Sequence, residues 1–271
     1  MSTVTSKDGT EIAFSKAGAG PALILVDGAL CYREFGPAGP MANALKDRFT
    51  VYTYDRRGRG ESGNHTSYSP DREIEDLEAL LKQAGGSAYV FGCSSGAALA
   101  LAAANRLSGI RGLVLYEAPF IVDGSREPMT KAYWETIALA TRQGDNGGAV
   151  SLFFKAVGVP GLVIVLMRLM PMWGKLKAVA PTLPNDGAFV QEFQQGRPLP
   201  QGRWSNVNVP TLVMDGGKSP SWMRNATKAL AAAIPGAEYR TLAGQTHMVK
   251  PQAHAPVLKE FFLQEAGAAA A

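Results

Sequence analysis

The chain predicts an α/β protein, a mostly parallel sheet flanked by helices with one helical insertion. Three observations carry that prediction. Short apolar runs alternate with helical patterns through the first 119 residues. The alternation stops near Phe120 and resumes at Pro210. Between them lie only helical patches rich in Met, Leu, Val and Trp, with no strand pattern.

The elements follow in order. Residues 11–16, after a Lys7-Asp8-Gly9 turn, predict an N-terminal hairpin. Residues 22–26 are a continuous apolar run, as in a strand buried on both faces. Residues 49–54 form the next strand. Residues 70–84 place Ile74, Leu77, Leu80 and Leu81 on one helical face, with acids early, where a helix N-terminus favours them. Residues 87–91 read as a short buried strand, 97–107 as an alanine-rich helix and 110–116 as another strand. The insertion is punctuated by Pro160, Pro171, Pro181, Pro184, Pro198 and Pro200. Beyond it come a strand at 210–215, a helix at 221–233, a strand at 237–242 and a helix at 253–264. Residues 266–271 are a low-complexity tail expected to fray. The division is thus a core of residues 1–119 and 205–271, with residues 120–204 inserted.

Composition narrows the function. With 271 residues, 46% of them hydrophobic, the chain can bury a substantial core, and 18% charged residues argue against disorder. The net charge is +4, with the basic residues scattered. Their one cluster, Arg56-Arg57-Gly58-Arg59, is too short for a nucleic-acid patch and lacks interleaved aromatics, so the balance favours anionic small molecules only mildly. Cys31 and Cys93 have no zinc-type spacing, and without secretory signs no disulfide is expected between them. The polar N-terminus lacks a signal-peptide core. The most apolar stretch, 157–169, is broken by Pro160 and Arg168 and is too short to span a bilayer. A cytoplasmic protein is expected, with a small-molecule substrate, no nucleic-acid or membrane partner, and a homo-oligomer left open.

The chemistry centres on Gly92-Cys93-Ser94-Ser95-Gly96, which fits G-x-S-x-G between an apolar strand and a helix. A serine at such a turn is held in a strained backbone with its hydroxyl exposed. Serine is a poor nucleophile without a base. Of the three histidines, His247 follows the last strand at its carboxyl end, where an α/β sheet collects its chemistry, whereas His65 and His254 read as surface residues. An oxyanion needs two aimed N–H groups. Ser95 supplies one at the helix start, and Ala29, in the Asp27-Gly28-Ala29-Leu30 turn, is the choice for the other.

Together these residues resemble the α/β-hydrolase superfamily over nearly the whole chain. The matching pieces are the Asp27-Gly28 turn, Asp55-Arg56-Arg57-Gly58-Arg59-Gly60-Glu61-Ser62, residues 92–96, Pro210-Thr211-Leu212-Val213 and Gly244-Gln245-Thr246-His247. The resemblance implies an eight-stranded, mostly parallel sheet and a helical cap, or lid, inserted after the sixth strand. It also implies a Ser–acid–His triad in which Ser94 and His247 match residue by residue.

The acid departs from the family pattern. Its usual loop past the seventh strand reads Gly216-Gly217-Lys218-Ser219-Pro220, with Ser219 in the acid's place. Loss of the orienting acid costs a serine protease about 10⁴-fold in kcat, roughly 5 kcal/mol, so an active enzyme must place a carboxylate elsewhere. Glu117 stands at the end of the sixth strand, in Leu115-Tyr116-Glu117-Ala118-Pro119, and Asp215 ends the seventh. The resemblance favours Glu117, because some family branches, including certain haloalkane dehalogenases and zearalenone-type lactonases, take their acid there. Asp215, or no functional acid, stays open. Asp27 can line the pocket, Asp55 fixes a loop, and Cys93 points into the core. The Met- and Trp-rich insertion favours an apolar acyl or alcohol moiety.

The reading is a serine hydrolase for a carboxylic ester or lactone: Ser94 attacks, His247 shuttles the proton, Glu117 orients it, and Ser95 and Ala29 hold the oxyanion. No cofactor or metal is called for. The alternatives are a carbon–carbon hydrolase, lyase or acyl transferase on the same residues, or a non-catalytic small-molecule binding protein.

Overall fold

A computed structural model describes residues 2–65 and 67–268, with the last four by their backbone alone. Its centre is an eight-stranded sheet in the order β1-β2-β4-β3-β5-β6-β7-β8. The strands are β1 (Ser2–Thr5), β2 (Glu11–Ala17), β3 (Ala22–Val26), β4 (Thr50–Tyr54), β5 (Ala88–Cys93), β6 (Ile110–Tyr116), β7 (Thr211–Gly216) and β8 (Glu238–Leu242). The expected hairpin pairs β1 with β2 antiparallel, and β2 joins β4 antiparallel. All other pairings are parallel. The continuous apolar runs mark the centre: β5 and β7 are buried at every position, whereas the edge strand β8 buries only Leu242.

Helices cover both faces. Leu77 and Leu80 of α2 (Pro70–Gln83), the alanine row of α3 (Ser95–Ala104) and Leu230 of α9 (Ser221–Ala233) share one core. On the other face Met41 of α1 (Ala38–Leu45) and Leu258 and Phe262 of α10 (Pro251–Ala268) share a second core. There the Tyr89 and Phe262 rings stack 4.7 Å apart, with Phe49 edge-on to both. Helix α1 is absent from the sequence reading because Pro37, Gly39 and Pro40 look like a loop. Proline is tolerated in a first turn, where its missing N–H is not needed, and Ala38, Met41, Ala42 and Leu45 then bury one face.

Between β6 and β7 the chain forms α4 (Lys131–Arg142), α5 (Asn146–Ala156), α6 (Gly161–Arg168), α7 (Met172–Val179) and α8 (Leu183–Val190), with short 3₁₀ turns on either side of α8. The prolines punctuate this segment rather than distort its helices: Pro160 and Pro171 sit at the N-caps of α6 and α7, and Pro184 lies in the first turn of α8. Trp204 stacks on Phe120 and tilts against Phe193, closing the base of the insertion on the core.

Several boundaries and placements differ from expectation. Strand β5 runs on to Cys93, and α3 starts at Ser95, so Ser94 alone forms the junction. Helix α10 starts at Pro251 and continues to Ala268, into the tail expected to fray, while residues 269–271 lie outside the described residues. His254, expected at the surface, is fully buried on the first turn of α10: its Nδ1 meets Lys250 O at 2.9 Å and its ring lies edge-on to Tyr116. Arg56, Arg57 and Arg59 are buried as well, so their charge is neutralised inside the molecule and lends no surface attraction for anions. Among the described residues no helix is long and apolar enough to cross a membrane.

Candidate active site

Strand β5 ends in the sheet's centre, and the chain must reverse there into α3 within one residue. Ser94 takes up that reversal at φ 55° and ψ −130°. The tightness comes from backbone against backbone. A Cβ on Gly96 would sit 2.3 Å from Val26 O, and one on Gly92 would sit 2.6 Å from Gly96 O. The Asp27–Leu30 turn presses in from β3, where a Cβ on Gly28 would lie 2.8 Å from the Ser94 Cβ. Cys93 is buried beneath the junction as expected, and burial drives its thiol pKa well up, which disfavours a reactive thiolate there.

Glu117 follows β6, also at positive φ (48°), and is fully buried. Its Oε2 lies 2.7 Å from His247 Nδ1, and its Oε1 accepts the Gly216 N–H at 2.7 Å. The acid therefore reaches across from β6 to the end of β7. Tyr116 ties the group together. Its carbonyl accepts the Ser94 N–H at 2.9 Å, and its hydroxyl donates to Thr246 O at 2.5 Å, next to His247. The loop carrying His247 is further held by Lys218 N–H donating to Gln245 O. Of the sequence-derived candidates, the structure joins Glu117 to His247. It forms no hydrogen bond between Ser94 Oγ and His247, a contact that commonly tightens only with substrate in place.

The competing acid is engaged elsewhere. Asp215 Oδ2 accepts from Tyr239 OH at 2.7 Å, on the neighbouring β8. Ser219, where a family acid would stand, is buried and its hydroxyl has no partner among the described residues. Asp55 fixes a loop as expected, accepting the Arg33 and Glu61 N–H groups. Asp27 is buried, and desolvation raises its pKa to about 7.

Gly28, which precedes Ala29, packs against Ser94, and Ser95 follows Ser94 at the start of α3. Outside the helices and strands, neither the Ala29 nor the Ser95 N–H bonds to a backbone carbonyl among the described residues. Leu30, next to Ala29, has φ 61°. Leu30, Ser94 and Glu117 are the non-glycine residues at positive φ among those described, and they lie in the turns that follow β3, β5 and β6. Such backbone costs about 1–3 kcal/mol per residue and persists where function requires it.

Motif reading missed the charged floor of the site. Asp186, on α8, pairs with Arg56 and Arg59 and accepts a hydrogen bond from Ser95 Oγ. Its only sequence signal is an arginine cluster in a chain otherwise poor in charge. Of the insertion's large side chains, Trp134 and Trp173 are buried, Phe153, Phe154, Met167 and Met172 are half-buried, and Leu162, Val163 and Met170 are exposed. Among the described residues no group of His, Cys, Asp and Glu could hold a metal ion.

A mostly parallel sheet with a strained serine at its centre defines the class. The chain belongs to the alpha/beta hydrolase family, whose model matches residues 18–257. It is 46% identical to an alpha/beta hydrolase from Sphaerobacter thermophilus, over 96% of this chain and 100% of that one, with a TM-score of 0.88. It is similar in fold to the enol-lactonase from Burkholderia xenovorans, at 19% identity over 98% of this chain and 100% of that one, with a TM-score of 0.69. It is also 37% identical over 97 residues to the uncharacterized hydrolase YraK of Bacillus subtilis. That match covers 34% of this chain and about a third (35%) of YraK's length.

Proposed function

We propose that the protein hydrolyses a carboxylic ester or lactone of a small, largely apolar molecule through an acyl-enzyme on Ser94. The observation that carries this is the contact of Glu117 Oε2 with His247 Nδ1, at a site where Leu30, Ser94 and Glu117 all hold strained backbone. Esterase and enol-lactonase structures of the same fold support the same class of substrate.

Ser94 Oγ attacks the carbonyl carbon while His247 Nε2 takes its proton. The Glu117 carboxylate holds Nδ1–H and stabilises the imidazolium that forms. The negative charge on the former carbonyl oxygen is met by the Ala29 and Ser95 N–H groups. His247 then protonates the leaving alkoxide, and the alcohol departs, or stays tethered if the substrate is a lactone. Water, deprotonated by His247, attacks the acyl-enzyme and releases the acid. Residues 120–204 act as a cap whose Met, Phe and Trp side chains favour an apolar substrate.

The test is labelling by a fluorophosphonate together with p-nitrophenyl ester turnover. Wild type should label and turn over, and Ser94→Ala should do neither. Wild type that does neither would refute the hydrolysis proposed, and turnover surviving in Ser94→Ala would refute the site. Product analysis over a substrate panel separates ester and lactone cleavage from carbon–carbon hydrolysis, lyase chemistry or acyl transfer.

A further inference from the structure

We propose that the buried Asp186–Arg56–Arg59 cluster is a positioning device for the oxyanion-binding peptides, through which the helical insertion completes the geometry around Ser94. This rests on the serine-hydrolase reading above.

The cluster is specific in what it touches. Asp186 Oδ1 accepts from Arg56 Nη1 at 2.6 Å and from Ser95 Oγ at 2.7 Å, while Oδ2 accepts from Arg59 Nη2 at 2.7 Å. Arg59 Nη1 then donates to Gly28 O at 2.7 Å and to Cys31 O at 3.2 Å, and Arg56 Nη1 approaches Asp27 O at 3.3 Å. Arg59 Nε donates to Thr182 Oγ1, a second anchor in the insertion, and Arg56 holds Glu73 through Nε and Nη2. The carbonyls of Asp27, Gly28 and Cys31 are thus gripped from below by two guanidinium groups that one carboxylate of α8 holds in place.

The Gly28 carbonyl belongs to the same peptide unit as the Ala29 N–H. Because that unit is planar and trans, fixing the C=O fixes the N–H that points the other way. A charge-assisted bond is stronger than a neutral one, and bonds in series polarise one another, so Arg59 also makes the Ala29 N–H a better donor. On the other side, Asp186 holds the Ser95 side chain and with it the first turn of α3. Two arginines face Asp186 and Glu73, so the formal charges cancel and the effect is one of orientation rather than bulk positive potential. Buried ion pairs seldom repay their desolvation better than apolar packing would. Here they converge on the two peptides that flank the nucleophile.

The test compares wild type, Ser95→Ala, Asp186→Asn and the charge-balanced double variant Arg59→Gln/Asp186→Asn. Thermal unfolding is measured beside kcat and KM for a p-nitrophenyl ester and the affinity for a trifluoromethyl ketone. That ketone's adduct with Ser94 carries an oxyanion. At a temperature where each variant is folded, the double variant should lose about 10²-fold in kcat, with ketone affinity falling in step and KM changing little. Ser95→Ala leaves every charge paired and keeps its N–H. It should lose several-fold in the same pattern, at about 1 kcal/mol per hydrogen bond, and it decides the matter if the charge variants do not fold. Folded variants with wild-type kcat and ketone affinity, or activity lost only in proportion to the folded fraction, would overturn the proposal alone. Wild type with neither Ser94-dependent turnover nor ketone binding would overturn the serine-hydrolase reading and this inference with it.

Discussion

At the scale of single residues, the Glu117 carboxylate reaches from the end of β6 to the end of β7 and to the loop after β8. Glu117 has one methylene more than aspartate and leaves β6 at φ 48°, and from there its carboxylate meets both Gly216 N–H and His247 Nδ1. Glu117→Gln keeps the shape and removes the charge that the imidazolium needs, so kcat for an ester should fall by about 10²–10⁴-fold. Asp215→Asn, whose carboxylate accepts from Tyr239 rather than meeting His247, should stay within a few-fold of wild type in the same steady-state assay. A second residue-scale prediction concerns Asp27. Burial raises its folded pKa to about 7, above the ordinary aspartate value of 3.8. Between those values the fold binds a proton that the unfolded chain has released, so stability falls as pH climbs through that window. At about 1.4 kcal/mol per unit, the loss is on the order of 4 kcal/mol by pH 8. Asp27→Asn should flatten that slope in urea titrations between pH 4 and pH 8. A slope unchanged in the variant would assign it to other groups.

At the scale of elements, burial along the insertion is uneven, with α7 and α8 well buried and α6 largely exposed. Helix α6 buries Ile164 alone and leaves Leu162, Val163, Val165 and Leu166 exposed. Ile164→Ala should therefore cost about 2–4 kcal/mol in denaturant unfolding, and Leu162→Ala under about 0.5 kcal/mol. Equal costs would show that α6 packs differently. The helical stretch between β6 and β7 is visible in the sequence, because its loss of strand pattern is a long-range signal. It could not tell that Asp186 is drawn into the core while Leu162 is left in water, since one-dimensional hydropathy argues for the reverse in both cases. Helix α1 was hidden for a local reason, as its prolines and glycine mimic a turn while its buried face is contributed by partners far along the chain.

At the scale of the whole molecule, charge is divided between a buried set and a solvated one. Arg57 pairs with Asp76 and Asp8, joining α2 to the turn between β1 and β2. Arg106 pairs with Asp71 in full view of solvent. Arg57→Met strands a buried carboxylate and should cost about 3–5 kcal/mol in chemical denaturation, whereas Arg106→Met should cost under about 1 kcal/mol. The same division separates what the sequence determined from what only the fold could decide. The alternation of apolar runs, the G-x-S-x-G turn and a histidine past the last strand are local patterns. They were enough for the sheet, for the helices between β6 and β7, and for the places of Ser94 after β5 and His247 after β8. The contact of Glu117 rather than Asp215 with His247, the burial of His254 against Tyr116 and Phe91, and the pairing of Asp186 with Arg56 and Ser95 Oγ all depend on residues far apart in the chain. Sequence spacing carries no record of which side chains a closed core brings within 3 Å, and at that distance a single carboxylate is assigned to one partner or another.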